Sequence, residues 1–126
     1  MGDALVEALN AEREVGLKSS ARLQEIARAD AAAMAEQSAL VDRPDSTTPE
    51  CDGAFQVQYQ TWWEEQIDHP TGTKFYTTAA ELAAGVVAAL EQDERYAQLF
   101  GSGFQQVGAG AVRDDADRVW ISVWVC

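Results

Sequence analysis

Groups able to carry acid–base, nucleophilic or metal chemistry at neutral pH are scarce in this sequence. His69 is the only histidine, and the chain contains no Gly-x-Ser-x-Gly motif, phosphate-binding loop or dinucleotide fingerprint. A serine or cysteine nucleophile needs a base within reach and a third group that orients the base. Zinc prefers three or four nitrogen, sulfur or oxygen ligands, which one imidazole among dispersed carboxylates does not supply. We therefore predict no metal, no cofactor and no catalytic residue, which favours a protein that is not an enzyme.

One carboxylate cluster leaves a hydrolase open as the alternative. Glu64, Glu65 and Asp68 follow a pair of tryptophans, and two carboxylates flanking a substrate are typical of sugar-cleaving sites. Adjacent acids at the edge of a helix or loop are usually a solvated face instead. The sequence thus offers the cluster as a candidate without requiring it.

The tryptophan pair itself, Trp62 and Trp63, is a candidate contact site at the end of a predicted strand. Neighbouring side chains of a strand point to opposite faces, so one ring is expected in the core and the other at the surface. An exposed tryptophan can contact a protein partner, a lipid or a sugar. The alternative is partial burial of the ring under the loop that follows.

Cys51 and Cys126 are the only cysteines, far apart and without a CxxC motif or a neighbouring histidine. An even pair with one member at the last residue predicts a disulfide that holds the C-terminus. Two unrelated thiols in a cytosolic protein are the alternative. The pairing requires the two Cα atoms to lie within about 7 Å of each other.

Length and charge limit the protein to one acidic domain over residues 1–126. Nine basic residues against 21 acidic ones give a net charge of −12 with no basic stripe, so we expect no contact with nucleic acid. No stretch approaches the about 18 apolar residues of a membrane span. The first residues do not resemble a signal peptide. These features fit either a cytosolic protein or a secreted or extracytoplasmic domain without its signal segment, and the predicted disulfide favours the second.

Four helical segments are predicted from apolar spacing and capping residues. The first runs from Asp3 to Val15 and ends where Gly16 supplies a left-handed residue. The second begins at Ser19 or Ser20 and continues to about Gln37. A capping box over residues 78–81 opens the third, and a short helix follows from residue 93. Residues 42–53 and 64–77 are predicted loops because they lack periodicity and contain turn-forming residues.

Three strands complete the prediction, over residues 55–63, 106–113 and 118–125. In the first, apolar residues alternate with Gln56, Gln58 and Gln60, whose face is either exposed or part of a polar cleft. The last is apolar on both faces and is expected at the centre of the sheet. Helices covering both faces of such a sheet predict a three-layer α/β/α sandwich. In the strand Val107-Gly108-Ala109-Gly110, missing side chains indicate the close approach of a helix or a ligand.

Three stretches resemble the CAP superfamily, which includes cysteine-rich secretory proteins, antigen 5 and pathogenesis-related proteins. They are Leu9-Asn10-Ala11-Glu12-Arg13 with Gly16-Leu17, Leu23, Ala27 and Met34; Ala88 to Gly110; and Val119-Trp120-Ile121-Ser122-Val123-Trp124. Together they cover about two-thirds of the chain. The resemblance implies a degenerate, bacterial-type member with a three-layer sandwich around a mostly antiparallel sheet.

The resemblance also implies that a metal-binding cleft has been lost. Members with an intact cleft hold two histidines and two acidic residues there. In this chain Asp42 and Arg95 stand where the histidines fall, and the segment that carries an acid matches the strand of Gln56, Gln58 and Gln60. These five residues form the candidate cleft.

We therefore predict a non-catalytic, extracytoplasmic binding domain whose ligand is an apolar small molecule or whose partner is a component of the cell envelope. The hydrolase described above and a purely structural module of a larger envelope protein are the alternatives.

Overall fold

A computed structural model describes residues 2–13, 15–40, 54–63, 78–101 and 103–126 of the chain. Within them the sequence forms three α-helices, one 3-10 helix and four strands. In chain order these are α1 (Gly2–Ala11), β1 (Lys18–Ser19), α2 (Ala21–Gln37), β2 (Phe55–Trp62), α3 (Ala79–Glu91), the 3-10 helix (Glu94–Phe100), β3 (Gln106–Arg113) and β4 (Arg118–Val125).

The first helix ends at Ala11, four residues before the predicted end at Val15, and Gly16 does not adopt a left-handed conformation. The side chain of Asn10 explains the early end. Its amide nitrogen donates to the carbonyl of Leu17 (3.0 Å) and its oxygen accepts from the N–H of Leu17 (2.8 Å). This pairing draws the chain into an extended path and leads into β1, a short strand that the sequence did not predict.

The second helix follows the sequence prediction closely. Ser20 caps its N-terminus by accepting from the N–H of Leu23 at 3.2 Å, which satisfies one of the donors left open in the first turn. The helix ends at Gln37, and its C-cap residue Ser38 has a left-handed φ of 54°. None of its sheet-facing residues is aromatic or branched at Cβ, and two are alanines, so the helix axis can approach the sheet closely. The sheet-facing residues are Leu23, Ala27, Ala31 and Met34.

The sheet is mixed, with the strand order β1-β3-β4-β2. The strands β2 and β3 pair antiparallel with β4, while the two residues of β1 pair parallel with β3. The central position predicted for β4 is confirmed: every residue from Val119 to Val125 is buried. The bounds predicted for β3 and β4 are also confirmed.

Helices contact both faces of this sheet. On one face, α1, α3 and the 3-10 helix enclose the main apolar cluster with alternate residues of β2, β3 and β4. On the other, α2 packs on β3 and β4, where Trp120 and Trp124 contact its small residues. The predicted capping box is present at α3, where Thr78 accepts from the N–H of Glu81 at 3.1 Å.

The glycines of β3 allow α2 to lie directly on the strand. A Cβ atom on Gly108 would lie 2.2 Å from the backbone of Leu23 and Gln24, and one on Gly110 would lie 2.5 Å from the backbone of Arg28. Helix packing, rather than a ligand, therefore occupies the space beside this strand.

No helix among the described residues is long and apolar enough to cross a membrane.

Candidate functional site

The three glutamines of β2, here called the amide row, lie on the sheet face that α2 also contacts. Gln56 is paired with Trp124, Gln58 with Ser122 and Gln60 with Trp120. Directly paired residues of antiparallel strands share a face, and Trp124 and Trp120 pack against α2. Each glutamine is half-buried. Because α2 lies over β3 and β4, the amide row runs alongside the helix.

A buried carboxylate lies beside the amide row. Asp30 of α2 is 0% exposed, and its Oδ2 accepts from the indole Nε1 of Trp124 at 2.8 Å and from the hydroxyl of Ser122 at 3.4 Å. A buried charge is tolerated only where polar groups solvate it. The contact fixes the rotation of α2 relative to β4 and gives this face a polar centre.

A second polar network closes the end of the same face at the turn between β3 and β4. Asp114 accepts from the indole Nε1 of Trp120 (2.9 Å) and from Nε of Arg118 (2.7 Å). Arg118 also donates to the hydroxyl of Ser38, at the end of α2, at 3.0 Å. The indole hydrogen bond, helped by backbone N–H groups, holds the pKa of Asp114 below its ordinary value. The turn, the sheet and α2 are thereby linked.

We expect Asp114→Asn to lower stability at neutral pH and to lose that effect in acid. Because the folded-state pKa is depressed, the ionised carboxylate stabilises the fold fully above its ordinary pKa of 3.8. The stabilisation disappears as the pH falls through the folded-state pKa. Melting temperatures between pH 7 and pH 2.5 should converge for the two proteins below about pH 4. Asp115→Asn removes the same charge from the same turn and is the matched control; an equal pH dependence in both variants would contradict the assignment.

Trp62 and Trp63 lie on opposite faces, as the strand prediction requires. Trp62 is 50% exposed, at the end of the amide row, where it pairs with Arg118. Trp63 packs against the main apolar cluster, and the guanidinium of Arg113 lies 5.1 Å from its ring centre. Trp62 is therefore the ring that is available for contact.

The structure does not bring Arg95 to the amide row. Arg95 belongs to the 3-10 helix, which packs through Leu99 on the opposite face of the sheet. Its side chain is 77% exposed and bonds to Asp93 at 2.7 Å, which lowers the pKa of that carboxyl group. The reason for the separation is the two-residue period of β2, which turns Val57 toward the 3-10 helix side and the glutamines toward α2.

Several predicted residues lie outside the described part of the chain. They are Asp42, Cys51, Glu64, Glu65, Asp68 and His69. The hydrolase alternative therefore stays a prediction. So does the pairing of Cys51 with Cys126, although no described cysteine is a free thiol. The backbone of Cys126 is held independently, by hydrogen bonds of 3.0 Å in both directions with Gln106.

The apolar core between α1, α3 and the sheet contains a cavity of about 10 Å³. That volume suits a single water molecule at most, so it does not receive an apolar ligand. Among the residues that the structure describes, no group of three or more His, Cys, Asp or Glu side chains is placed to hold a metal ion.

The sequence analysis did not identify Asp30 as a buried polar residue, although its position in the helix indicates it. Residues 23, 27, 30 and 34 follow the helical spacing of the buried stripe of α2, and a carboxylate in such a stripe requires a buried partner. It also missed the role of Arg13. This buried guanidinium donates to the carbonyl of Leu99 and, at 3.1 Å, to that of Val15, so Arg13 joins Asn10 in ordering the chain after α1.

No family model matches this chain, and no curated protein matches it either. The solved structure of an outer surface protein from Borrelia burgdorferi is similar to it, with a TM-score of 0.67. The similarity covers 99% of this chain and 97% of that chain at 14% sequence identity. At that identity the likeness concerns the fold alone, a mixed α/β arrangement of helices and one sheet.

Proposed function

We propose that the chain is a non-catalytic interaction domain of CAP type, a three-layer sandwich that works outside the cytoplasm and binds a component of the cell envelope. The contact surface in this proposal is the amide row together with Trp62. The main support for this proposal is the position of Trp62, a large ring that is 50% exposed and lies beside half-buried amides on one sheet face. Aromatic rings next to hydrogen-bonding groups are typical of the central contacts of interfaces.

Further observations support this proposal, and the first of them concerns the choice between a surface contact and an internal ligand site. The core cavity of about 10 Å³ has no room for a small apolar molecule, and the larger groove of about 240 Å³ between α1 and α3 is open to solvent, so a contact at the surface is favoured. The similar solved structure is that of an outer surface protein, which supports an extracytoplasmic location. The residues that resemble the CAP superfamily lie in the helix pair and in β3 and β4, and here they serve packing: Asn10 and Arg13 order a loop, and Gly108 admits α2.

Site-specific photocrosslinking in cells that produce the protein tests the proposal. A photoreactive phenylalanine analogue at position 62 should give one predominant adduct with an envelope component. Val15 is the matched control because it is also apolar and 66% exposed but lies next to β1, at the other edge of the sheet. Equal adducts from both positions, or none from position 62, would reject the amide row and Trp62 as the contact surface.

A further inference from the structure

We infer that β2 accepts an additional strand, an extended cationic segment of a partner protein that pairs with the edge of β2 facing away from β4. The inference rests on the proposed function and specifies the class of partner and the way it is bound. It is carried by the hydrogen-bond pattern of β2, by the composition of that strand and by the charge of the chain.

The backbone groups directed toward this edge follow from two observed hydrogen-bonded pairs. The N–H of Trp63 donates to the carbonyl of Asp117 at 2.7 Å. In an antiparallel pair, residues alternate between those that bond the neighbouring strand and those whose backbone groups point away. Odd-numbered residues of β2 therefore bond β4, and the N–H and C=O groups of Gln56, Gln58, Gln60 and Trp62 point outward.

The other side of β4 supports this assignment. Gln106 and Cys126 exchange two hydrogen bonds of 3.0 Å. Because hydrogen-bonded pairs recur at every second residue, the even-numbered residues of β4 bond β3. The odd-numbered residues of β4 are left for β2, as the register of β2 and β4 requires. Within the described part of the chain, no strand pairs with the outer edge of β2.

The strand lacks the features that usually prevent edge pairing. Natural edge strands are short, or contain charged residues, proline or a bulge. The eight residues of β2, FQVQYQTW, include no charge and no proline, and the register with β4 continues without a bulge from Phe55 to Trp62. The opposite edge is different, because the two residues of β1 cover only the start of β3 and this edge contains the charged residues Lys18 and Arg113.

The net charge of the chain favours a cationic partner over a second copy of the chain at this edge. The chain carries a net charge of −12, so a second copy would bring the same charge to the interface, whereas a cationic segment is attracted at long range. Strand addition takes its affinity from main-chain hydrogen bonds and its specificity from alternate side chains. Here those side chains on the α2 side of the sheet are the amide row and Trp62, which offer hydrogen bonds and one exposed ring.

The test uses the full chain and a display library of random twelve-residue peptides. We expect enrichment of basic peptides free of proline, which on addition slow hydrogen exchange of the Gln58, Gln60 and Trp62 amides. Gln58→Pro removes one outward N–H without removing a bond to β4 and should weaken binding of a synthetic enriched peptide at least about tenfold. Gln58→Ala, the matched variant, removes the same side chain but keeps the N–H, so it should weaken binding at least about threefold less than Gln58→Pro does.

A second measurement does not depend on the folding of the proline variant. N-methylation of alternate peptide residues should abolish binding in one register and spare it in the other, because only every second residue of an added strand bonds β2. Equal effects in both registers would overturn strand addition.

Other outcomes overturn the inference in ways that identify the true occupant. Slow exchange of the Gln58, Gln60 and Trp62 amides in the free monomer would mean that a segment of this chain covers the edge. Protection that rises with protein concentration would mean a second copy. If Trp62 crosslinks an envelope component but no peptide protects these amides, strand addition fails while the proposed function stands. If peptides bind as expected but position 62 gives no adduct, the proposed contact surface fails instead.

Discussion

Gly108→Ala should destabilise the fold by more than about 3 kcal/mol. The new Cβ would lie 2.2 Å from backbone atoms of Leu23 and Gln24 and 2.6 Å from the Cβ of Leu23. A flexible side chain could move aside, but helix backbone cannot shift without lifting α2 from β3 along the whole contact. Urea unfolding followed by circular dichroism would measure the change as a lower midpoint, or as a chain that does not fold.

Two matched variants make this prediction specific. Gly110→Ala should have an effect of similar size, because its Cβ would lie 2.5 Å from the backbone of Arg28. Gly103→Ala should change stability by less than about 0.5 kcal/mol, since nothing lies within 4 Å of a Cβ there and its φ is not in the left-handed region. Similar small effects for all three variants would show that α2 does not rest on β3 as described.

Asp30→Ala should lower the free energy of unfolding by about 2–3 kcal/mol. The substitution leaves the indole N–H of Trp124 without the acceptor that lies 2.8 Å away, in a position that is 0% exposed. An unsatisfied buried donor keeps its full desolvation cost, and the lost carboxylate also leaves a small void. Urea unfolding monitored by tryptophan fluorescence would measure the change in stability.

Asp30→Asn is the control for shape and hydrogen bonding. Its side-chain oxygen can still accept from Trp124, so we expect less than half of the loss seen with alanine. If asparagine were as damaging as alanine, the negative charge itself and not the acceptor would be the stabilising feature. If alanine were harmless, Asp30 would not hold α2 against β4.

The capping residues and the strand patterns allowed most of the secondary structure to be predicted. Ser20 and Thr78 each accept from a backbone N–H three residues later, and such a bond depends only on local sequence. The first helix was the exception, because its end depends on Asn10 meeting Leu17, seven residues away. A side chain that bonds a distant backbone group leaves no periodic signal.

The residues of the candidate site could be predicted only in part from the sequence. The alternation of β2 correctly grouped Gln56, Gln58 and Gln60 on one face. It could not decide which helix lies over that face. Arg95 was assigned to the same cleft only by the resemblance to the CAP superfamily, whereas the 3-10 helix packs on the other side of the sheet. Asp30, the charged group that does lie by the amide row, was assigned to the helix without a role.

The sequence by itself determined the local elements of α2, α3 and β2 to β4, the central position of β4, the close contact at Gly108 and Gly110, and the scarcity of catalytic groups. Each depends on residue type and short-range spacing. The tertiary structure decided which residues share a face, which ring of the tryptophan pair is exposed, and which edge of the sheet is long and uncharged. Those properties arise from strand register and from the side on which each helix packs, and both are set by contacts between residues far apart in the chain.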